Sequence, residues 1–287
     1  MMTFNIRSEL EYVVEAPVAF LLNIRAQDNH RQKVIEETFT ITGGIPHELH
    51  VCRSTGNRFD KINAEVPGIY QIRYEAVVQV EAERLDASML PATEPSEFDL
   101  DVLSYLYPSR YCQSDRLGAL TASQFMGQGT PYEQVQAVCD WISAHVAYTS
   151  GSTHASTSAV DTLVEREGVC RDFAHLGIAL CRAMNIPARY FTGYAHELQP
   201  PDFHACFETW IGRRWILWDP TGLASPDGVV RIGTGRDAAD VSICTSFGGL
   251  QLNQQNVSCE AADPSYQKMT HEEMREQAVS LVAASGA

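Results

Sequence analysis

Between Tyr70 and Val80 every second residue is apolar: Tyr70, Ile72, Tyr74, Ala76, Val78 and Val80 share one side, and the other side is mostly polar. A period of two predicts a half-buried β-strand. Shorter runs at 10–14, 18–26 and 34–41 predict further strands, and Gly43-Gly44, Gly56-Asn57 and Pro67-Gly68 punctuate them as turns. The first part of the chain, 1–88, therefore reads as a small antiparallel β-sandwich. No titratable cluster stands out in it, so it reads as a supporting or binding module.

Pro91, Pro95 and Pro108 mark a polar connection, and 89–128 is expected to hold a linker with short helices. The period then turns helical. Thr130-Pro131 offers an N-cap with proline at the first helical position, and Val135, Val138, Ile142 and Val146 predict a helix over 131–147. Ser156 and Thr157 are candidate caps for a shorter helix that carries Val160, Leu163 and Val164 and ends at Gly168. Phe173, Leu176, Leu180 and Met184 form the apolar stripe of a helix over 170–185, stopped by Pro187.

Beyond Pro187 the period falls back to two, with strands expected at 188–196, 203–211, 214–219 and near 250–259. Helices first and strands afterwards predict an α+β core over 129–265, its helices packed on an antiparallel sheet. The closing stretch, 266–287, is expected to form a helix from Thr270, where Glu273 completes a capping box. Gly233-Thr234-Gly235 lacks the context of a phosphate loop and reads as a turn.

Composition narrows the partners. Of 287 residues, 45% are hydrophobic and 20% charged, enough to fill a large core. Lys and Arg number 21 against 36 Asp and Glu, a net charge of −15 that disfavours nucleic acid and anionic membranes. No apolar run approaches the roughly 20 residues of a spanning helix. Met1 to Leu10 lacks the basic end and apolar run of a secretory signal, so a cytoplasmic location is expected. The eight cysteines contain no CxxC pair and are expected to be mostly buried thiols.

One cysteine stands apart. Cys170 directly follows Gly168-Val169 and opens the amphipathic helix, where free backbone N–H groups and the helix dipole favour a thiolate. His204 lies in the strand of 203–211, and Asp219 closes the next before Pro220. With Ile211-Gly212, or Trp210 to Arg213, as the hairpin loop, His204 and Asp219 fall directly opposite each other. A turn one residue longer makes them diagonal neighbours, still within reach. Nucleophile, base and orienting carboxylate thus come in a workable order. Trp141, Tyr148 and Thr149 are candidate second donors to an oxyanion, beside the Cys170 N–H. No cofactor site is read. A zinc site of Cys170, His175 and His204 is conceivable but lacks a compact ligand pair.

Glu167-Gly168-Val169-Cys170-Arg171-Asp172-Phe173-Ala174-His175-Leu176, then Asn185-Ile186-Pro187-Ala188-Arg189-Tyr190 and Gly193-Tyr194, resemble the core of the bacterial transglutaminase-like superfamily. Asp202-Phe203-His204-Ala205, Glu208-Thr209-Trp210 and Trp218-Asp219-Pro220-Thr221 continue the similarity in order, strongest over 155–222. Gly235 to Val241 resembles the tail of many bacterial members. The resemblance implies a papain-like α+β core with Cys170 as nucleophile, His204 as general base and Asp219 as orienting carboxylate. It implies a thioester acyl-enzyme formed on a peptide, isopeptide or glutamine-type amide, resolved by water or an amine. Arg171 stands where the animal cross-linking enzymes carry tryptophan, and nothing resembles their calcium sites, which favours hydrolysis. The alternative is a non-catalytic interaction module that keeps the fold.

Overall fold

Strands β1 (Met2–Val14), β2 (Val18–Leu22), β3 (Gln32–Ile41), β4 (His47–Val51), β5 (Arg58–Ala64), β6 (Gly68–Val80) and β7 (Glu83–Asp86) follow one another through the first part of the chain. Short 3-10 turns lead to α1 (Gly118–Gln124), α2 (Pro131–His145), β8 (Ala147–Tyr148), α3 (Ala159–Glu165), β9 (Glu167–Gly168) and α4 (Cys170–Ala183). Then come β10 (Ala188–Ala195), β11 (His204–Ile211), β12 (Arg214–Trp218), β13 (Val229–Gly235), β14 (Cys244–Ser246) and β15 (Leu250–Ala261). Helix α5 (His271–Glu276) and strand β16 (Gln277–Ser280) complete the order. This computed structural model describes residues 1–127 and 129–282; Gln128 of the expected linker and 283–287 of the expected tail lie outside the described residues.

The alternation in β6 is realised: Tyr70, Ile72, Tyr74, Ala76, Val78 and Val80 are all buried. Two four-stranded antiparallel sheets, in the orders β15-β1-β6-β3 and β14-β2-β5-β4, share one core that includes Phe4, Leu10, Phe20, Leu22, Ile62 and Tyr74. The strand expected near 250–259 is present as β15, but it pairs with β1 rather than with the later strands. Its inward residues Val257 and Cys259 fill the sandwich core, and its Gln and Asn residues stay outside.

The sandwich also contains a charged cluster that the sequence did not reveal. Arg25 donates to both oxygens of Asp60, at 2.7 and 3.0 Å, lies 3.4 Å from Glu37 and covers the Phe39 ring. These residues are spread over two strands and a loop, and only the folding of the sandwich brings them together.

The third sheet, in the order β12-β11-β10-β13, carries the candidate residue His204 on β11. Phe191, Tyr194, Cys206 and Leu217 on one face join the sandwich core. Tyr190, Ala205, Phe207, Ile216 and Trp218 on the other face pack in the core formed with α2 and α4. Burial on both faces explains why β11 has no exposed residue. The molecule is therefore α+β, with an antiparallel sheet held between a β-sandwich and a layer of helices.

Several boundaries shift for local reasons. Helix α2 has the expected Thr130 cap, with Glu133 completing a capping box. Helix α3 is capped by Ser158, not Ser156 or Thr157, because Asp161 accepts from both the Ser158 N–H and its hydroxyl. It ends at Arg166, which takes a left-handed φ of 62°. Thr270 and Glu273 do cap α5, but this helix stops at Glu276, since Ala278 to Leu281 bury as an extended strand beside β7. Gly233-Thr234-Gly235 is part of β13 and not a turn; a Cβ on Gly233 would lie 3.0 Å from Asn57 Oδ1 and 3.1 Å from Asn23 Nδ2. Among the described residues no helix is long and apolar enough to cross a membrane.

Candidate active site

Helix α4 is enclosed rather than one-sided: every residue from Asp172 to Arg182 is buried. Gly177 lets its backbone approach β11, since a Cβ there would sit 2.6 Å from the Phe207 ring. This contact sets the helix against the strand that begins with His204. Cys170, the first residue of α4, is half-buried. The extended residue before it, Val169, donates its N–H to Asp172 Oδ2 at 3.0 Å, so a carboxylate caps the helix from its own first turn. Thr153 donates to the same oxygen, and Arg171 reaches over to Thr153 and the His154 carbonyl. The loop before α3 is thereby tied over the helix start.

His204 and Asp219 meet, although not by the expected register. The β11–β12 hairpin turns on Gly212-Arg213, both at positive φ (59° and 58°), a two-residue turn matched to strand twist. Ile211 pairs with Arg214 and Phe207 with Trp218. Continued, that register places Asp219 opposite Cys206, with His204 on the diagonal. The His204 Nε2 still lies 2.9 Å from Asp219 Oδ2, and both side chains are almost fully buried.

Asp219 is fixed on every side. Its Oδ2 also accepts the Ala224 N–H at 2.9 Å, and its Oδ1 accepts the Thr221 N–H and hydroxyl at 3.0 and 2.6 Å. Burial disfavours its charge, but attraction to His204 and these hydrogen bonds outweigh it and hold the carboxyl below its ordinary pKa. Burial likewise disfavours the imidazolium, yet Asp219, with smaller help from Cys206 and Cys170, raises the His204 pKa well above the usual value. The Cys170 thiol lies near enough to this ring to contribute to that shift. With Nε2 committed to Asp219, Nδ1 is the nitrogen left for the sulfur. The three residues singled out from the sequence thus come together.

Of the three candidate oxyanion donors, Tyr148 is at the site. Its side chain is a close neighbour of Cys170. Burial and then the neighbouring Cys170 push the Tyr148 pKa up to about 12, which keeps the hydroxyl a donor at neutral pH. Its position is set by parallel pairing of β8 with β9, directly ahead of Cys170. Thr149 instead donates its N–H to the Gly168 carbonyl, and Trp141 stacks on His145 with Arg166 over its ring.

His175 does not join Cys170 and His204 in a metal site. It is fully buried, stacks on Tyr111, and its Nε2 accepts the Ala238 N–H at 3.1 Å. Burial and then Arg171 and Arg182 depress its pKa well below the ordinary value. Among the described residues, the group with metal-ligand geometry is His204, Cys206 and Asp219, whose ligand atoms lie within 4.8 Å of one another. Tyr190 and Tyr194, on the neighbouring strand β10, are buried.

Sequence reasoning missed a further element. Glu208, two residues beyond Cys206, is buried and chelates Arg231 through both oxygens and Arg189 through one. Arg231 in turn exchanges backbone hydrogen bonds with the Gln32 side chain of the sandwich. The signal was the glutamate on the same strand face as His204, but its partners lie on other strands.

Residues 118–220 match the transglutaminase-like superfamily, and residues 2–91 match the N-terminal domain of bacterial transglutaminases. A crystal structure of a putative cysteine protease from Cytophaga hutchinsonii is similar along 97% of each chain, with 42% identity and a TM-score of 0.94. An uncharacterized protein of Mycobacterium tuberculosis is 31% identical over 220 residues, 69% of this chain and 67% of its own. One from Mycobacterium leprae is 30% identical over 176 residues, and the match spans 57% of this chain and 63% of that relative's length. The chain belongs to the transglutaminase-like superfamily, with a bacterial transglutaminase N-terminal domain ahead of its core.

Proposed function

We propose that the chain is a cysteine-dependent amide-bond hydrolase or acyltransferase, in which Cys170 is the nucleophile, His204 the general acid and base, and Asp219 the group that orients the ring. The observation that carries this reading is the buried His204–Asp219 pair, 2.9 Å apart, beside a cysteine at the start of α4.

The Cys170 sulfur attacks the amide carbonyl carbon, and the π electrons move onto oxygen. That oxyanion is held by the Cys170 N–H and the Tyr148 hydroxyl. As it collapses, the C–N bond breaks, and His204 gives a proton to the departing amine. A thioester remains on Cys170, and neutral His204 accepts a proton from water or an amine as that acceptor attacks. Asp219 keeps the ring in one orientation and stays ionised throughout.

Water is the favoured acceptor in this reading, because Arg171 replaces the tryptophan of the animal cross-linking enzymes and is engaged with Asp172, Thr153 and His154. The substrate is a peptide or protein amide. Neither nucleic acid nor an anionic membrane suits a chain of net charge −15, and a cytoplasmic setting suits eight free cysteines.

The test is intact-mass and peptide-mapping spectrometry after rapid mixing with peptide, isopeptide and glutamine-type amides. An acyl adduct on Cys170 that disappears in water, or transfers to an added primary amine, is the expected result. Turnover that survives in Cys170→Ala contradicts the proposal.

A further inference from the structure

Cys206 has no part in the acyl-transfer scheme, yet it stands beside the residues that do. Its sulfur lies within 4.8 Å of a His204 ring nitrogen, and the hairpin register, continued one residue past Phe207–Trp218, sets it opposite Asp219. An imidazole nitrogen, a sulfur and a carboxylate oxygen, all within 4.8 Å of one another, are the donor types that borderline metal ions bind.

We propose that His204, Cys206 and Asp219 form an inhibitory site for a borderline divalent cation, with Zn2+ the best match. The role as an off-switch rests on the catalytic reading given above; the binding itself does not.

Three physical arguments support the site. The first is distance. Zinc bonds of about 2.0 Å to nitrogen and oxygen and about 2.3 Å to sulfur are reached by small shifts, in which the His204–Asp219 pair, now 2.9 Å apart, opens slightly to admit the ion. The second is charge. A divalent cation with one thiolate, one carboxylate and a neutral imidazole sums to zero, so a buried site is left without net charge. The third is access. A recess of about 110 Å3 reaches Asp219 from the side of α2 and α5 and is lined by Cys139, Asp140 and His271, among others. Carboxylate and imidazole groups there offer a cation a way in.

Binding is a ligand exchange without redox chemistry. The metal displaces the proton of the Cys206 thiol and the proton held between His204 and Asp219; both pass to solvent, and three metal–ligand bonds form. Affinity therefore rises with pH. A metal-bound His204 can neither serve Cys170 nor keep its hydrogen bond to Asp219, so acyl transfer stops.

Direct metal binding tests the site without requiring turnover. Purified Cys170→Ala, Cys206→Ser and wild-type protein are titrated with Zn2+, and with Co2+ for its thiolate charge-transfer absorption. The expected result is one equivalent bound, with the cobalt band present, in both wild type and Cys170→Ala. Cys206→Ser is expected to lose the band and weaken at least about tenfold. Cys206→Ser is also expected to turn over substrate and resist zinc. A band that persists in Cys206→Ser, or vanishes in Cys170→Ala, overturns the site by assigning the metal to another cysteine. Circular dichroism on each variant excludes misfolding as the cause. Catalytic failure of the wild type leaves the binding result intact, so the two proposals fail separately.

Discussion

The register of the β11–β12 hairpin, continued one residue past the Phe207–Trp218 pair, sets Asp219 opposite Cys206, yet its carboxylate bonds diagonally to His204 Nε2 at 2.9 Å. Three other hydrogen bonds, from Ala224 and Thr221, aim it there. Asp219 is therefore fixed by the turn after the strand as much as by the strand itself.

Asp219→Asn keeps the size but removes the charge that raises the His204 pKa. The turnover rate is expected to fall by about 10⁴-fold, as when a triad aspartate becomes an amide. The alkaline limb of the pH–rate profile, where His204 gives up its proton, is expected to move down toward the ordinary histidine value of about 6.5. Steady-state rates from pH 5 to 10 for both proteins check this.

Tyr148→Phe removes the hydroxyl beside the Cys170 N–H and leaves the ring that packs on Phe173. Acylation is expected to slow by about 10²-fold, the lower end for loss of one oxyanion-hole donor. Stopped-flow acylation measures it. Alkylation of Cys170 by iodoacetamide, which develops no oxyanion, is expected to change far less than acylation.

Gly177→Ala places a methyl where the Phe207 ring already lies. Overpacking of this kind typically costs about 1–3 kcal/mol. Chemical denaturation is expected to show that loss, and activity is expected to fall with it because α4 carries Cys170 and β11 carries His204.

Stability depends on pH through the same groups. Asp219 and Glu208 have folded-state pKa values below their unfolded ones. Their contribution is present above the unfolded carboxylate values of about 4 and is lost as pH falls through the folded values. His204 is raised, so its contribution is full below about 6.5 and is lost as pH rises through the folded value. His175, with its depressed value, adds a loss of stability as pH falls below about 6.5, so these groups together place the maximum of thermal stability near the upper end of the range from about pH 4 to 6.5. Scanning calorimetry across pH is expected to find it there, and His204→Ala is expected to flatten the alkaline side.

Much of this was legible because it is local. The alternation in β6, the Thr130 cap of α2 and the stripe of α4 are neighbour-to-neighbour signals, and Cys170 could be placed at a helix start from Gly168 and Pro187 alone. What stayed hidden needed pairing between distant segments. Nothing near 250–259 says that it returns to β1, because an alternating strand carries no label for its partner. The hairpin register slipped by one residue because Gly212-Arg213, rather than Ile211-Gly212, takes the positive φ angles. Glu208 was visible as a buried-face carboxylate, but its arginines at 189 and 231 were not.

Cys52 is the thiol most able to obscure the chemistry of Cys170. Hydrogen bonds from Ser54 and Thr55 lower its pKa to about 7, and it is half-buried in a turn of the sandwich. Cys112 and Cys206, by contrast, are pushed up to about 12, chiefly by burial. Iodoacetamide at neutral pH is expected to label Cys170 and Cys52 well before either of these, as peptide mapping resolves.

The most direct measurement of the central claim is the site-resolved alkylation rate of Cys170 at pH 7 in Cys52→Ser protein, with and without His204→Ala. An imidazole that activates the sulfur predicts a several-fold slower rate when the ring is removed. The same Cys170 rate in both proteins would contradict the account.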